Sequence, residues 1–301
     1  MPRALLVLPL LFALCGHAQG DTLTDKTLLR LEEQTIWEGI SADGKLLPEH
    51  AYLRELDLYA ITYTSEGHAV HGFLVEPKAP GRYPVVLFNR GGNRDFAALD
   101  IGTMVNYTAP LAQAGFVILA SNYRAADEFG GAEINDVLKL IDICPSIAKV
   151  DTARIGMFGW SRGGMMTYLA MARTTRLRTA VVGNGPTDLR ATLRERPGLE
   201  ESVFSQCIPD FWATKDAALS QRSVVDWPER LCPSTSLLIL CGTRDRRVDH
   251  AQAEALASKL DSTGHRYELK SYDTDHFFSD HKAELQQALI AWFRKELAEA
   301  P

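Results

Sequence analysis

The sequence predicts an α/β domain, with a mostly parallel central sheet, helices on both faces and a small helical insertion. Three observations carry that prediction. Short apolar runs recur along the chain, separated by stretches of helical character. A Gly-Trp-Ser-Arg-Gly turn joins one of these runs to a helix. An aspartate and a histidine stand just past the ends of two later runs.

The first twenty residues stand apart. Arg3 precedes an apolar run from Ala4 to Cys15, far shorter than the roughly 20 residues a membrane-spanning helix needs. Small or polar residues follow, from Gly16 to Gly20. A cationic start, a short apolar core and small residues near a cut site are the parts of a signal peptide. Residues 1–20 are therefore expected to be removed after Ala18 or Gly20, leaving a secreted or periplasmic protein. No later segment is both apolar and long enough to span a bilayer, so no stable membrane insertion is expected. Residues 21–55, with Lys, Glu and Leu but no strong strand run, read as a helical or irregular arm. Residues 56–301 read as the main domain.

Within that domain, residues 56–63 and 69–75 read as two strands joined by the polar turn Thr64-Ser65-Glu66-Gly67, an antiparallel edge of the sheet. Val85-Val86-Leu87-Phe88 is a buried strand ending in Asn89-Arg90-Gly91-Gly92. A helix over 107–114 precedes a strand at 116–120, and a helix over 134–143 precedes a strand at 154–158. A helix after Ser161 leads to a strand at 179–182. Two further pairs follow: strand 236–240 with helix 250–260, and strand 266–271 with helix 282–297. Alternation of this kind builds βαβ units and hence a parallel sheet covered on both faces. Residues 187–231 break the rhythm with Arg190, Arg194, Arg196, Pro197, Phe211, Trp212 and Trp227. This stretch reads as a helical insertion, part lid and part pocket wall.

Composition excludes several function classes. The chain is 46% hydrophobic and 23% charged, ordinary for a globular protein with a large core. Its formal net charge of -6 would become about -7 without Arg3. With no Lys/Arg stripe interleaved with aromatics, neither nucleic acid nor anionic lipid is an expected partner. Cys144, Cys207, Cys232 and Cys241 form no CxxC unit, and there is no HExxH pair or compact His/Asp cluster, so no metal is expected. The glycines at 159–164 surround a serine rather than forming GxGxxG, so no cofactor is expected either. In an oxidising compartment, Cys207–Cys232 is the first disulfide to expect.

The chemistry concentrates in Gly159-Trp160-Ser161-Arg162-Gly163. A serine between strand and helix sits on a tight, strained turn that exposes its oxygen, and the flanking glycines let the two elements approach closely. The helix N-terminus then points at the serine, and the Arg162 backbone N–H faces a developing oxyanion. Serine is a weak nucleophile and needs a base within hydrogen-bond reach. His276 and Asp245 stand at the ends of later strands, where groups gather outside the carboxyl edge of a parallel sheet. Ser161, Asp245 and His276 are the expected catalytic residues. Asp249 is an alternative acid or the cap of the helix near His250. Asp273 and Asp275 are too close in sequence to His276 to serve.

Arg90 is expected at the oxyanion side, through its backbone N–H or its guanidinium, unless it pairs with Asp95 or Asp127. Arg162, a cation opposing a helix dipole, calls for a carboxylate partner or a ligand, with a surface-facing position as the equal alternative. Tyr123, Trp160, Phe211 and Trp212 are expected to shape the substrate pocket, although the last two equally suit an insertion core.

These segments resemble the catalytic domain of the prolyl oligopeptidase family, of the α/β-hydrolase superfamily, and more distantly the dienelactone hydrolases. The resemblance spans residues 56–297. It includes Asn122-Tyr123-Arg124, Gly131 to Asp136, Asp151-Thr152-Ala153-Arg154-Ile155-Gly156, Gly159 to Gly164, Gly242 to Val248 with Gln252, and Asp275-His276-Phe277. It implies a serine hydrolase with Ser161, Asp245 and His276 as triad and Arg90 near the oxyanion loop. Three features depart from the family pattern. Residues 21–55 leave no room for the N-terminal β-propeller of its large enzymes. Arg90 stands where related oligopeptidases often present a tyrosine, and Asp249 replaces the usual proline after Val248. The expected activity is cleavage of a peptide or amide bond through an acyl-serine intermediate. The alternatives are carboxylic-ester hydrolysis with the same triad, or a non-catalytic binding protein on the same fold. The expected partner is a small ester or a short peptide.

Overall fold

The computed structural model describes residues 23–299. The expected signal peptide lies outside the described residues. Strands are β1 (Leu23–Leu28), β2 (Ser41–Ala42), β3 (Lys45–Leu46), β4 (Leu56–Ser65), β5 (His68–Pro77), β6 (Tyr83–Asn89), β7 (Val117–Ser121), β8 (Val150–Trp160), β9 (Thr179–Gly183), β10 (Ser236–Gly242) and β11 (Tyr267–Tyr272). The α-helices are α1 (Trp37–Ile40), α2 (Ile101–Thr103), α3 (Ala109–Gln113), α4 (Ile134–Ile143), α5 (Arg162–Met171), α6 (Leu189–Glu195), α7 (Ser205–Cys207), α8 (Phe211–Gln221), α9 (Ala251–Thr263) and α10 (Lys282–Glu296).

Nine strands form one sheet in the order β1-β4-β5-β7-β6-β8-β9-β10-β11. From β7 to β11 every neighbouring pair is parallel. β1, β4 and β5 add an antiparallel flank. This is the mostly parallel, doubly covered sheet that the apolar runs predict. The strand sequences explain the two-sided core, because successive side chains point to opposite faces. Val85 and Leu87 of β6, Val117 and Leu119 of β7, and Leu237 and Ile239 of β10 join one apolar cluster, beneath α4, α5 and α9. Val86, Phe88, Ile118, Ala120, Leu238 and Leu240 join the other, beneath α3 and α10. α10 contributes Leu285, Leu289, Trp292 and Phe293, all buried. Each such side chain contributes roughly 1.5–3 kcal/mol on burial.

Two expectations are corrected here. Residues 21–55, read as a helical or irregular arm, include β1, which pairs with β4 along the sheet edge. Five of its six residues are exposed, so it lacks the apolar alternation that marks a strand in sequence. Its register is held by the backbone ladder and by Lys26 Nζ, which pairs with Glu76 at 3.1 Å. The Cys207–Cys232 disulfide is not formed: Cys144, Cys207, Cys232 and Cys241 are free and buried. The Cys232 thiol instead meets Ser234 Oγ at 3.1 Å. The 187–231 stretch is helical, carrying α6, α7, α8 and shorter turns.

Candidate active site

The β8–α5 junction places Ser161 in an unusual backbone conformation, φ 55° and ψ -126°. Its N–H donates to Gly183 O at 2.8 Å, and its carbonyl accepts Gly164 N–H at 2.8 Å. Glycine is required at two adjoining positions. A Cβ on Gly159 would overlap the Gly163 carbonyl, and one on Gly163 would overlap the Asn89 carbonyl. Every residue of α5 is buried, so the helix whose positive end faces Ser161 is clamped on all sides. On the opposite wall, Gly91 lies so near that a Cβ there would sit 3.9 Å from Ser161 Oγ. Among the described residues the Ser161 hydroxyl has no hydrogen-bond partner, and it opens on a cavity.

β10 and β11 deliver the other two groups at the same carboxyl edge of the sheet. His276 Nδ1 lies 2.6 Å from Asp245 Oδ2, with side-chain exposures of 5% and 0%. Asp245 Oδ1 accepts the backbone N–H groups of Arg247 at 2.7 Å and Val248 at 3.1 Å. With the acid so held, Nδ1 carries the shared proton and Nε2 is left to face elsewhere. Asn184 couples the two loops: its Nδ2 donates to His276 O, and its Oδ1 accepts Gly242 N–H, each at 2.9 Å. Asp275 folds the histidine turn by accepting the N–H groups of Phe277 and Ser279, each at 3.0 Å. Asp249 accepts Ala251 N–H at 3.0 Å just before α9, whose N-cap position is held by His250.

The arginines play parts that sequence alone left open. The Arg90 guanidinium does not pair with Asp95 or Asp127. It donates to the carbonyls of Asn122 (3.2 Å), Gly91 (3.1 Å), Phe96 (3.2 Å) and Arg94 (2.6 Å), and so organises the 91–97 loop from within. Arg162 is buried and finds two carboxylates: Asp127 at 2.6 and 2.8 Å and Glu133 at 2.5 Å. Burial would raise the Asp127 pKa, but the Arg162 guanidinium and the N–H groups of Arg94 and Phe129 outweigh it and hold it below the usual carboxylate range. Both guanidiniums lie over the Tyr123 ring, at 5.1 and 5.3 Å from its centroid. The Tyr123 hydroxyl donates to Arg90 O at 3.1 Å. Tyr123 thus supports the 90–92 loop from below and lines neither cavity at Ser161, and burial pushes its phenol pKa up, so it stays protonated.

Two cavities meet at Ser161. The larger, about 240 Å3, is lined by Phe88, Leu99, Tyr107, Trp160, His276 and Phe277 among others. The smaller, about 90 Å3, is lined by Arg162, Leu189, Thr192, Arg196, Arg247 and Val248 among others. Gly92, Phe96, Ser161 and Arg247 belong to both. Trp160 therefore lies on the cavity wall, but Phe211 and Trp212 line neither cavity. Phe211 is packed against Phe204 in the insertion core, and Trp212 is 63% exposed. Sequence reasoning missed the roles of Glu133, Asn184, Arg196 and Arg247. Glu133 and Arg247 lie in the Gly131 to Asp136 and Gly242 to Val248 segments already singled out, which is the signal that points to them.

A model of the prolyl oligopeptidase family matches residues 103–300. The chain belongs to the prolyl oligopeptidase family. By family it is a serine hydrolase. It is 28% identical over 229 residues to an uncharacterised peptidase of Bacillus subtilis (strain 168), YtmA, covering 73% of this chain and 86% of that protein. It is 26% identical over 231 residues to human dipeptidyl peptidase 8, covering 69% of this chain but 25% of that one. Among solved structures, a Pyrococcus horikoshii acylaminoacyl peptidase superposes with a TM-score of 0.70 at 17% identity, covering 86% of this chain and 46% of the other. A puromycin-hydrolysing peptidase of Mycobacterium tuberculosis gives 0.65 at 21% identity, covering 86% and 41%. These superpositions show the shared α/β-hydrolase fold, and the chain spans less than half of either solved protein.

Proposed function

We propose that this prolyl oligopeptidase family member cleaves a peptide or amide bond through an acyl-enzyme on Ser161. The carrying observation is the buried 2.6 Å Asp245–His276 pair, whose histidine lines the same cavity as Ser161. His276 Nε2 takes the Ser161 hydroxyl proton as Oγ attacks the carbonyl carbon. The tetrahedral intermediate collapses, the C–N bond breaks, and the leaving amine takes that proton from Nε2. Water then repeats the sequence on the acyl-serine, returning the Ser161 hydroxyl. Asp245 stays ionised throughout, holding the ring in the Nδ1–H tautomer and stabilising the imidazolium. The Arg162 backbone N–H, at the start of α5, and the N–H groups of the 90–92 loop beside Ser161 supply the oxyanion donors. The Ser161 hydroxyl and the ring come into line when substrate fills the cavity, since catalytic hydrogen bonds are often loose without ligand.

A fluorophosphonate probe should label the wild type and fail to label Ser161→Ala. Labelling that persists in that variant refutes the nucleophile. Asp245→Asn should lower kcat by about 10^4, the scale of a lost orienting carboxylate. Hydrolysis of p-nitrophenyl esters with no turnover of peptide amides would replace the peptidase reading with the esterase one. We also propose export, on the strength of Arg3 and the apolar run to Cys15; amino-terminal sequencing of the mature protein should begin after Ala18 or Gly20.

A further inference from the structure

Four arginines line the two cavities at Ser161: Arg90, Arg162, Arg196 and Arg247. Two of them are satisfied from within. Arg90 is ringed by backbone carbonyls, and Arg162 is neutralised by Asp127 and Glu133. Arg196 and Arg247 differ. Among the described residues neither guanidinium has a hydrogen-bond or ion-pair partner, and Arg247 has only the Phe277 ring beneath it, 5.0 Å away.

We propose that Arg196 and Arg247 form a carboxylate-binding subsite, so that preferred substrates carry a free carboxylate close to the scissile bond. This deepens the hydrolase reading and rests on it. Both arginines are half-buried and share the 90 Å3 cavity with Ser161. Two like charges in one small cavity repel, and a desolvated guanidinium without an acceptor is costly. Burial and the neighbouring Arg247 lower the Arg196 pKa and outweigh the opposing pull of Asp245 and Glu195. The nearby carboxylates do not relieve it, because they are already committed. Asp245 serves His276 and two backbone N–H groups. Glu195 serves the Gln252 amide and Asp249 N–H. A substrate carboxylate would accept from both guanidinium forks, the geometry for which arginine is best suited. The apolar cavity on the other side of Ser161, walled by Phe88, Leu99, Tyr107 and Trp160, takes the uncharged part of the same substrate.

Such a carboxylate belongs either to the C-terminus of a short peptide or to the free end of a dicarboxylic hemiester. Calorimetric titration of the full chain, which needs no turnover, separates this subsite from the chemistry. Glutarate, an N-acetyl dipeptide acid and its amide are the probes. Tighter binding of the dipeptide acid than of glutarate identifies a peptide terminus, and the reverse identifies a hemiester. Both acids should bind more tightly than the amide. Arg196→Met and Arg247→Met should each weaken acid binding at least about tenfold, with part of the loss recovered in Arg196→Lys. In turnover, the acid-to-amide or acid-to-methyl-ester ratio of kcat/KM should fall by the same factor, mainly through KM. Equal affinity for acid and amide, or acid affinity unchanged in both Met variants, overturns the subsite. Absence of fluorophosphonate labelling in a wild type that still binds the acids overturns the hydrolase reading alone.

Discussion

Replacing Arg162 with methionine tests the electrostatic support behind the Ser161 turn. The guanidinium it removes is 3% exposed, and it strands Asp127 and Glu133, whose side chains are 3% and 0% exposed. Each carboxyl keeps only its backbone N–H donors, from Arg94 and Phe129 for Asp127 and from Glu128, Gly130 and Gly131 for Glu133, and either stays ionised against no counter-charge or takes up a proton. Protonating one of ordinary pKa near 4 at pH 7 costs roughly 4 kcal/mol, at about 1.4 kcal/mol per unit. That agrees with the roughly 3–5 kcal/mol lost when one partner of a buried pair is removed. In a chain of this size 1 kcal/mol moves Tm by about 1.5–2 °C, so Arg162→Met should melt about 6–8 °C below wild type at pH 7. The sign with pH distinguishes this cause from lost packing. In the wild type the lowered pKa of Asp127 contributes stability above the ordinary carboxylate range, lost as pH falls through its lowered value. In the variant Asp127 loses the guanidinium that offsets its burial, so its penalty shrinks on acidification. The gap between the two proteins should therefore narrow between pH 7 and pH 5, by up to about 1.4 kcal/mol per unit for Asp127. Calorimetric melts of wild type, Arg162→Met and the triple variant adding Asp127→Asn and Glu133→Gln provide the test. The triple variant should regain more than half of the loss. A fall below about 3 °C at pH 7, or a gap equal at all pH values, refutes the reasoning.

Three other outcomes are expected. Phe211→Ala should cost about 3–5 kcal/mol in denaturant melts and Trp212→Ala under about 0.5 kcal/mol, because the first ring is buried and the second exposed; equal losses would contradict the placement. Gly163→Ala should lose about 3 kcal/mol or more, or fail to yield soluble protein, because its methyl group meets the Asn89 backbone; a variant melting like wild type would refute the close approach. Among the thiols, burial pushes the Cys144 pKa up to about 12. Burial would also raise that of Cys232, but hydrogen bonds with Ser234 and Thr235 outweigh it and lower the value. Mass spectrometry after iodoacetamide treatment of native protein should therefore find Cys232 modified ahead of Cys144, and a reductant should leave Tm unchanged.

The central strands were legible because each is a short run of branched apolar side chains with both faces buried, as in Val85-Val86-Leu87-Phe88. β1 was not, because Leu23–Leu28 lies along an edge where pairing comes from the backbone and nearly every side chain faces water. The β8–α5 turn could be read because glycine at 159 and 163 answers a local steric demand. The fates of Arg90 and Arg162 could not: the Arg162 acceptors come from elsewhere in the fold, and the Arg90 acceptors are mostly carbonyls of the loop that follows it. The Arg162 carboxylates lie about thirty residues upstream on the loop leading into α4, and the Arg90 carbonyls belong to a loop with no periodic pattern. Phe211 and Trp212 show why adjacent aromatics mislead. Neighbouring positions on a helix point in different directions, so one ring enters the interior and the other leaves it.

The seating of α5 has a bearing on how such a scaffold diversifies. A helix with no solvent face cannot rock or slide to suit a new ligand, so the Ser161 oxygen keeps one address. The surroundings are held differently: Phe96 and Leu99 come from an irregular loop, and Leu189, Thr192 and Arg196 from the excursion between β9 and β10. Mutations there can redraw the chamber without shifting the hydroxyl inside it. Novelty in what is accepted would then arise at the periphery, while the reaction itself is inherited unchanged.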